Sequence, residues 1–297
     1  MGTINYAQKF EPILLQKYEA ELKSNALYNS NPGVTFANAK TINVPNLVLS
    51  GYKDHTRGSQ FNNGDLSNAW TPMVLEHDRD IQYFIDPMDV DETNLTASIA
   101  NVQNTFETEQ AIPERDAYTF SKIYSELSEA GVTIDTTALT AANVLETFDG
   151  YMEKMDDASV PEEGRILYCT PAVKKLLKQA EGIERVINLT DASQGVNRKV
   201  HSLDDVEIVS VPSARMYTAY DFTDGFTAAD GAGKINMLLI HPNSVVGRMK
   251  YEYIRLFTPG TDSYTADNYV YQNRAYWDIF AVQTRLDGIQ MNYTAGA

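Results

Sequence analysis

The sequence predicts an α+β protein with an ordered centre and projecting segments. Three observations carry that prediction. Apolar residues recur at helical spacing in the first half, as at Leu95, Ile99, Val102 and Phe106. After residue 160, short apolar runs such as Ile166-Leu167-Tyr168-Cys169 read as buried strands. A polar stretch from Gly51 to Asn68 lies between two extended segments, longer than a compact domain ordinarily tolerates without a use for it.

Composition narrows the function classes. The chain has 297 residues, 43% of them hydrophobic and 10% aromatic, which suits a sizeable packed core and excludes disordered or collagen-like chains. A net charge of −16 argues against nucleic acid as a bound partner, because phosphate neutralisation needs clustered Lys and Arg. The single cysteine, Cys169, excludes an intramolecular disulfide framework and any multi-cysteine zinc site. No apolar run is long enough to span a bilayer, and Met1 to Tyr6 read as no signal peptide, so the protein is expected to stay in the compartment that makes it.

Residues 1–40 read as an arm. A helix is expected from about Pro12 to Ala26, with Leu14, Leu15, Tyr18 and Leu22 as a narrow apolar stripe, ended by turn chemistry at Asn29 to Gly33. So narrow a stripe suits lying along another surface. An extended hairpin follows: Lys40 to Pro45 rises, 51–68 projects, and a return strand alternates with Leu75, His77, Arg79, Ile81, Tyr83 and Ile85 on one face. Acidic Asp89, Asp91 and Glu92 precede the helix carrying Leu95 to Phe106. A break at Pro113 leads to a second helix with Tyr118, Ile123 and Leu127, capped by Gly131. A third helix spans about 141–156 with Val144, Phe148, Met152 and Met155. Thr170-Pro171 caps and starts a helix bearing Val173, Leu176, Leu177 and Ala180. Strands are expected at 206–211, 235–240, 246–257 and 269–286, with an acidic loop at 221–233.

No catalytic constellation is found. In Glu76-His77-Asp78, strand alternation points His77 away from its two neighbours, so alternating charge on an exposed strand is the better reading. Asp86, Asp89, Asp91 and Glu92 lack calcium-loop spacing and suit a helix start. Gly231-Ala232-Gly233-Lys234 fails the phosphate-loop pattern at Ala228 and Ile235. Cys169 lies in an apolar strand with no adjacent His and reads as a structural thiol. The Asn-x-Thr sequons at Asn94, Asn188 and Asn292 mean nothing without secretion. What remains is extensions that bury themselves on neighbours, the pattern of an assembling subunit.

The order of segments resembles the tailed-bacteriophage major capsid protein family, with the Hong Kong 97-type fold. The resemblance rests on linked pieces: Tyr6-Ala7-x-x-Phe10 in the arm, Tyr52 to Gly58 at the hairpin tip, and Leu75-x-x-Asp78-Arg79-x-x-x-Tyr83-x-Ile85-Asp86 leading into the long helix. Ile112-Pro113-Glu114-x-Asp116-Ala117 resembles the joint after that helix, and Val160-Pro161-x-x-x-Arg165 with Thr170-Pro171 the following strand-to-helix step. His241-Pro242, Lys250 and Tyr276-Trp277-Asp278-Ile279-Phe280 resemble the C-terminal strands.

The resemblance implies an N-arm (1–40), an extended E-loop hairpin (41–75), a peripheral domain with a long spine helix (76–131) and long sheet, an axial domain with a mixed central sheet flanked by helices (132–244), and peripheral C-terminal strands (245–297). It also implies a structural protein, not an enzyme and without a cofactor or metal. Copies would self-assemble as pentamers and hexamers into an icosahedral head in the virion, enclosing double-stranded DNA without binding it specifically, after assembly in the host cytoplasm. Implied partners are other copies, a separate scaffolding protein, a portal and a decoration protein. Subunit contacts fall to Tyr52, Lys53, Arg57, Phe61 and Trp70 in the E-loop and to Leu14, Tyr18 and Leu22 in the arm. Lys53 is available for the Lys–Asn cross-link that some members make. Two other readings compete: an encapsulin-type nanocompartment shell enclosing cargo enzymes, and a hydrolase using Glu76, His77 and Asp78.

Overall fold

The structure, a computed structural model, describes residues 21–28, 40–55, 57, 62–92, 99–180, 202–260 and 266–296. Leu14, Tyr18, Phe61, Leu95, the 29–33 turn and the sequons at Asn94 and Asn188 lie outside them.

The chain opens with a one-turn helix, α1 (Asn25–Tyr28), preceded by non-helical residues 21–24. The expected helix to Ala26 therefore does not run unbroken into α1. The reason is local: the Lys23 and Ser24 amides turn to the Asp116 carboxylate instead of into a helical ladder. Nor does this part of the arm leave its own body, since Leu27 is fully buried in the core.

β1 (Thr41–Leu49) pairs antiparallel with β2 (Leu66–Val74), from Thr41↔Val74 to Leu49↔Leu66. The hairpin is thus as expected, but its return strand is not. The alternating segment at 75–85 forms β3 (Asp78–Ile85), which pairs with a strand nearly 200 residues later. Polar Asn and Ser residues hide β2 from a hydrophobicity reading. They are tolerated because most of β2 faces solvent.

α2 (Pro87–Glu92) begins where Asp86 accepts from the Met88 amide, a helix-start role for that acidic group. α3 (Ile99–Phe106), a π-helical turn (Glu107–Ala111) and α4 (Ile112–Glu129) then form one helical path. The expected break at Pro113 does not occur. Proline sits in the first turn of α4, where its missing N–H costs nothing, and the widened π turn precedes it. Gly131, at φ +73°, ends the helix as expected.

α5 (Val144–Asp157), β4 (Ile166–Cys169) and α6 (Pro171–Gln179) follow, with Thr170 capping α6 through the Val173 amide. Next come β5 (Ser202–Leu203), β6 (Val206–Ser210), the small hairpin β7 (Tyr220–Asp221)/β8 (Thr227–Ala228), and β9 (Lys234–Ile240). Two long strands, β10 (Val245–Phe257) and β11 (Tyr269–Ala281), precede the last, β12 (Ile289–Thr294). The expected continuation of β11 to Leu286 is instead a 3-10 segment, Gln283–Gly288, that redirects the chain into a second sheet.

Two larger sheets organise the body. The first has order β10-β11-β3, all antiparallel. The second has order β12-β9-β4-β6-β5, with β4 and β6 parallel. Alternation on β4 divides the core: Ile166 and Tyr168 meet Phe120, Ile123 and Leu127 of α4, while Leu167 and Cys169 meet Phe148 and Met155 of α5 and Val173 and Leu177 of α6. The chain crosses between the sheets three times, once through the helices from β3 to β4 and twice by short turns, β9 to β10 and β11 to β12, and the two short crossings are tied. Val282 N–H donates to Ser244 O and His241 N–H to Gly288 O, each at 2.9 Å. Gly288 approaches Ser244 so closely that a Cβ there would lie 2.1 Å from its Oγ.

Candidate subunit-contact surfaces

The β1/β2 hairpin has two unlike faces, set by strand alternation. On one, Ile42 and Met73 are opposite one another and buried with Leu75, Tyr276 and Phe280. Tyr276 donates its hydroxyl to Leu75 O at 2.7 Å, and Leu75 N–H donates to Lys40 O at 2.8 Å, so the root is fixed to the body. On the other face lie Leu47, Leu49, Leu66, Trp70 and Val74, all exposed, with Leu66 at 69% and Trp70 at 59%. Five large apolar side chains on one face of a two-stranded ribbon have no core of their own to join.

Beyond the strands, the tip holds itself by local polar bonds. Ser50 N–H donates to Asp65 O and Asp65 N–H to Ser50 Oγ. The Lys53 ammonium donates to Asn63 O at 2.9 Å, and Asn62 donates its amide to Asp54 O at 2.9 Å. Tyr52 and Arg57 are exposed. Of the arm residues expected at contacts, Leu22 is half-buried beside the Asp116 anchor.

That anchor escaped the sequence reading. Asp116, fully buried on α4, accepts from Lys23 N, Ser24 N, Ser24 Oγ and Arg215 Nη1, the last at 2.9 Å. Arg215 also donates to Glu21 O. Three segments far apart in sequence meet on one carboxylate, and no motif announces it.

The Glu76-His77-Asp78 triplet does not converge. Glu76 and Asp78 are exposed, whereas His77 is buried, which corrects the expectation of a wholly exposed strand. Its ring stacks on Tyr118 at 3.7 Å, with Trp277 and Phe222 edge-on. Tyr118 of α4 and Trp277 of β11 enclose this side chain from either side. Among the described residues, no group of three His, Cys, Asp or Glu is arranged to hold a metal, and no helix is long and apolar enough to cross a membrane. Gly233 serves packing: its amide donates to Thr218 Oγ1, and a Cβ would lie 2.8 Å from Thr294 O. Asn292 is fully buried and bonded to Asp135 and Thr137, so it is no glycan acceptor. Cys169 is buried, and its surroundings push the thiol up to about 11.

No protein-family model matches the sequence, and no curated protein matches it. Solved structures do match over nearly the whole chain. A structure titled Mycobacterium phage Che8 aligns with TM-score 0.65 at 12% identity, covering 98% of each chain. The asymmetric unit of the bacteriophage PhiM1 mature capsid aligns with TM-score 0.65 at 14% identity, covering 99% of this chain and 92% of that one. The capsid of cyanophage P-SCSP1u aligns at 0.62 and 15% identity, covering 98% and 93%. With two tied sheets, a long helical path between them and a projecting hairpin, this chain has the fold of the tailed-phage major capsid proteins.

Proposed function

We propose that this chain is a major capsid protein, a structural subunit rather than an enzyme, which assembles with copies of itself as pentamers and hexamers into a phage head around double-stranded DNA. The observation that carries the reading is the hairpin: a ribbon rooted by Ile42 and Met73, with an exposed apolar face of Leu47, Leu49, Leu66, Trp70 and Val74. Such a face is satisfied by a neighbouring copy, and long extensions raise the contact area each subunit makes. In this reading residues 41–75 are the E-loop, 76–131 and 245–297 the peripheral domain, and 132–244 the axial domain. A net charge of −16 suits a container whose wall repels its polyanionic contents. A scaffolding protein, a portal and a decoration protein are proposed partners, and the virion the final location. The nanocompartment shell is the less favoured reading, since the solved structures named above are of phages and their capsids.

The test is assembly. Purified protein, alone or with its scaffold, is expected to give closed shells or capsomers in negative-stain images. Leu49→Glu and Trp70→Glu are expected to remain folded by circular dichroism and to sediment as unassembled subunits. Arg57→Glu, at the exposed tip, is expected to impair assembly more than Arg57→Ala, because the planar guanidinium suits a carboxylate across a subunit boundary. Normal shells from all three charge variants would overturn the hairpin contact. A strictly monomeric wild-type chain at high concentration would overturn the capsid reading.

A further inference from the structure

The hydrogen-bond phase of the β1/β2 ladder is fixed at both of its ends. At the tip, Ser50 N–H donates to Asp65 O at 3.0 Å, and at the root Leu75 N–H donates to Lys40 O at 2.8 Å. Both pairs continue the register that runs from Thr41↔Val74 to Leu49↔Leu66. In an antiparallel ladder, bonded pairs alternate with unbonded ones. Either end then gives the same answer. Ile42↔Met73 and Val44↔Thr71 are bonded pairs, whereas Asn43↔Pro72, Pro45↔Trp70, Leu47↔Asn68 and Leu49↔Leu66 are unbonded. The backbone amides and carbonyls of the unbonded residues point away from the partner strand, toward the outer edges of the ribbon.

These two strands form a sheet of their own, so among the described residues neither outer edge meets a further strand. Free edges are templates for pairing with another chain, and charged side chains are a common guard against it. β1 and β2 contain no Asp, Glu, Lys or Arg. The edge strands of the three-stranded sheet do: Asp78, Arg79 and Asp80 in β3, and Arg248, Lys250, Glu252 and Arg255 in β10. The hairpin has proline instead, Pro45 on β1 and Pro72 on β2, each at an outward position. No other described strand contains one. Proline at such a position keeps the ladder intact, because its missing N–H has no partner within the ribbon. What it takes away is the donor that an added strand would use. Pro45 separates the outward amides of Asn43 and Leu47, and Pro72 those of Trp70 and Val74.

We propose that Pro45 and Pro72 are edge guards: they close both sides of the hairpin to strand addition, so that a second copy meets it through the exposed apolar side chains and not by extending its sheet. The identity of that partner rests on the capsid reading, whereas the closure of the edges does not. An uncharged ribbon with an exposed apolar face would otherwise pair along its edges before assembly.

Full-length, unassembled subunits carrying both Pro45→Ala and Pro72→Ala test this, since alanine restores the two donors without adding apolar bulk. Circular dichroism is expected to match wild type, because no bond within the ribbon changes. With rising concentration the double variant is expected to associate and to bind thioflavin T several-fold more than wild type. Hydrogen exchange in the associated species is expected to slow at 43–49 and 66–72. Each single variant opens one edge and is expected to fall between, and carries the same comparison should the double variant not fold. Asn68→Val adds apolar surface at an exposed position with both prolines in place, and is expected to behave as wild type. Proline variants no more prone to associate than wild type would overturn the guards. Equal association by Asn68→Val, or slowed exchange confined to other segments, would overturn them as well. Failure of the wild-type chain to form shells would overturn the capsid reading alone, since none of these measurements needs a shell.

Discussion

Asp116 and Ser24 lie 92 residues apart in sequence, yet the carboxylate of one accepts both the backbone N–H and the hydroxyl of the other, at 2.9 and 2.8 Å. Arg215 shares that carboxylate. Asp116→Ala would leave a nearly buried guanidinium without its counter-charge and two amides without an acceptor, so a loss of about 3–5 kcal/mol is expected in denaturant unfolding. Ser24→Ala removes one bond and should cost about 1 kcal/mol. Proteolysis near residues 21–24 should quicken in Asp116→Ala. A change of under about half a kcal/mol for that variant would mean the arm root is held by other contacts.

The two faces of the β1/β2 hairpin should respond oppositely to truncation. Ile42 is fully buried at the root, so Ile42→Ala is expected to lower the stability of the unassembled subunit by about 2–5 kcal/mol. Leu47 is exposed, and Leu47→Ala should move it by no more than about 0.5 kcal/mol. Thermal melts of dissociated subunits distinguish the two. Equal costs would show that the apolar face is covered within the chain.

Acid should act through Asp135. Burial works against its charge, but bonds from Thr137, Tyr151 and Asn292 outweigh that and hold the carboxyl down at about 2. A folded value below the unfolded one, near 3.9, means its stabilisation is complete above that value. It is lost as pH falls through about 2. Asp135→Asn should therefore unfold more easily at neutral pH and show a shallower decline between about pH 4 and about pH 2. An identical acid profile in the variant would show that other carboxyls govern this range.

Cys169 should be chemically silent. Burial pushes its thiol up to about 11, with Lys174 opposing only weakly, so almost none is thiolate at neutral pH. Native protein should resist alkylation that proceeds fully in denaturant, and its stability should not depend on reductant. Cys169→Ala should cost roughly 1 kcal/mol and still assemble. Rapid native labelling would mean the strand opens locally.

Legibility in the sequence followed the range of the interactions. The faces of α5 and α6, the Thr170 cap and the buried alternation of β4 depend on neighbours within a turn or a strand, and the pattern of apolar residues announces them. Helix ends were legible where a single residue enforces them, as Gly131 does. Pairing was not. Alternation marked 75–85 as a strand but could not say that its partner is β11 rather than β1. β2, where Ser67, Asn68, Thr71 and Pro72 interrupt the apolar residues, gave no strand signal. The candidate site divides the same way. Trp70, Tyr52 and Arg57 stood out as large or charged residues beside a polar loop, whereas the apolar face of Leu47, Leu49 and Leu66 appears only once register is known. The Asp116 anchor and the His77 stack join segments about 40 to 200 residues apart, beyond any local signal.

Gly288 has a geometric consequence beyond its own turn. Two tied crossings join the sheets as a door is hung on two pins, which leaves one axis of swing and removes wobble. Those pins approach closely at residue 288, where a Cβ would lie 2.1 Å from Ser244 Oγ. Gly288→Ala is expected first to turn the Ser244 hydroxyl away, and a bulkier residue there, with Ser244 Cβ at 3.3 Å and Val160 Cγ1 at 3.6 Å from the new Cβ, to press the crossings apart and change the angle between the sheets. An error of a few degrees is invisible in one subunit. In the proposed shell it would recur with every copy and accumulate, so the curvature of the whole would depend on how small residue 288 is.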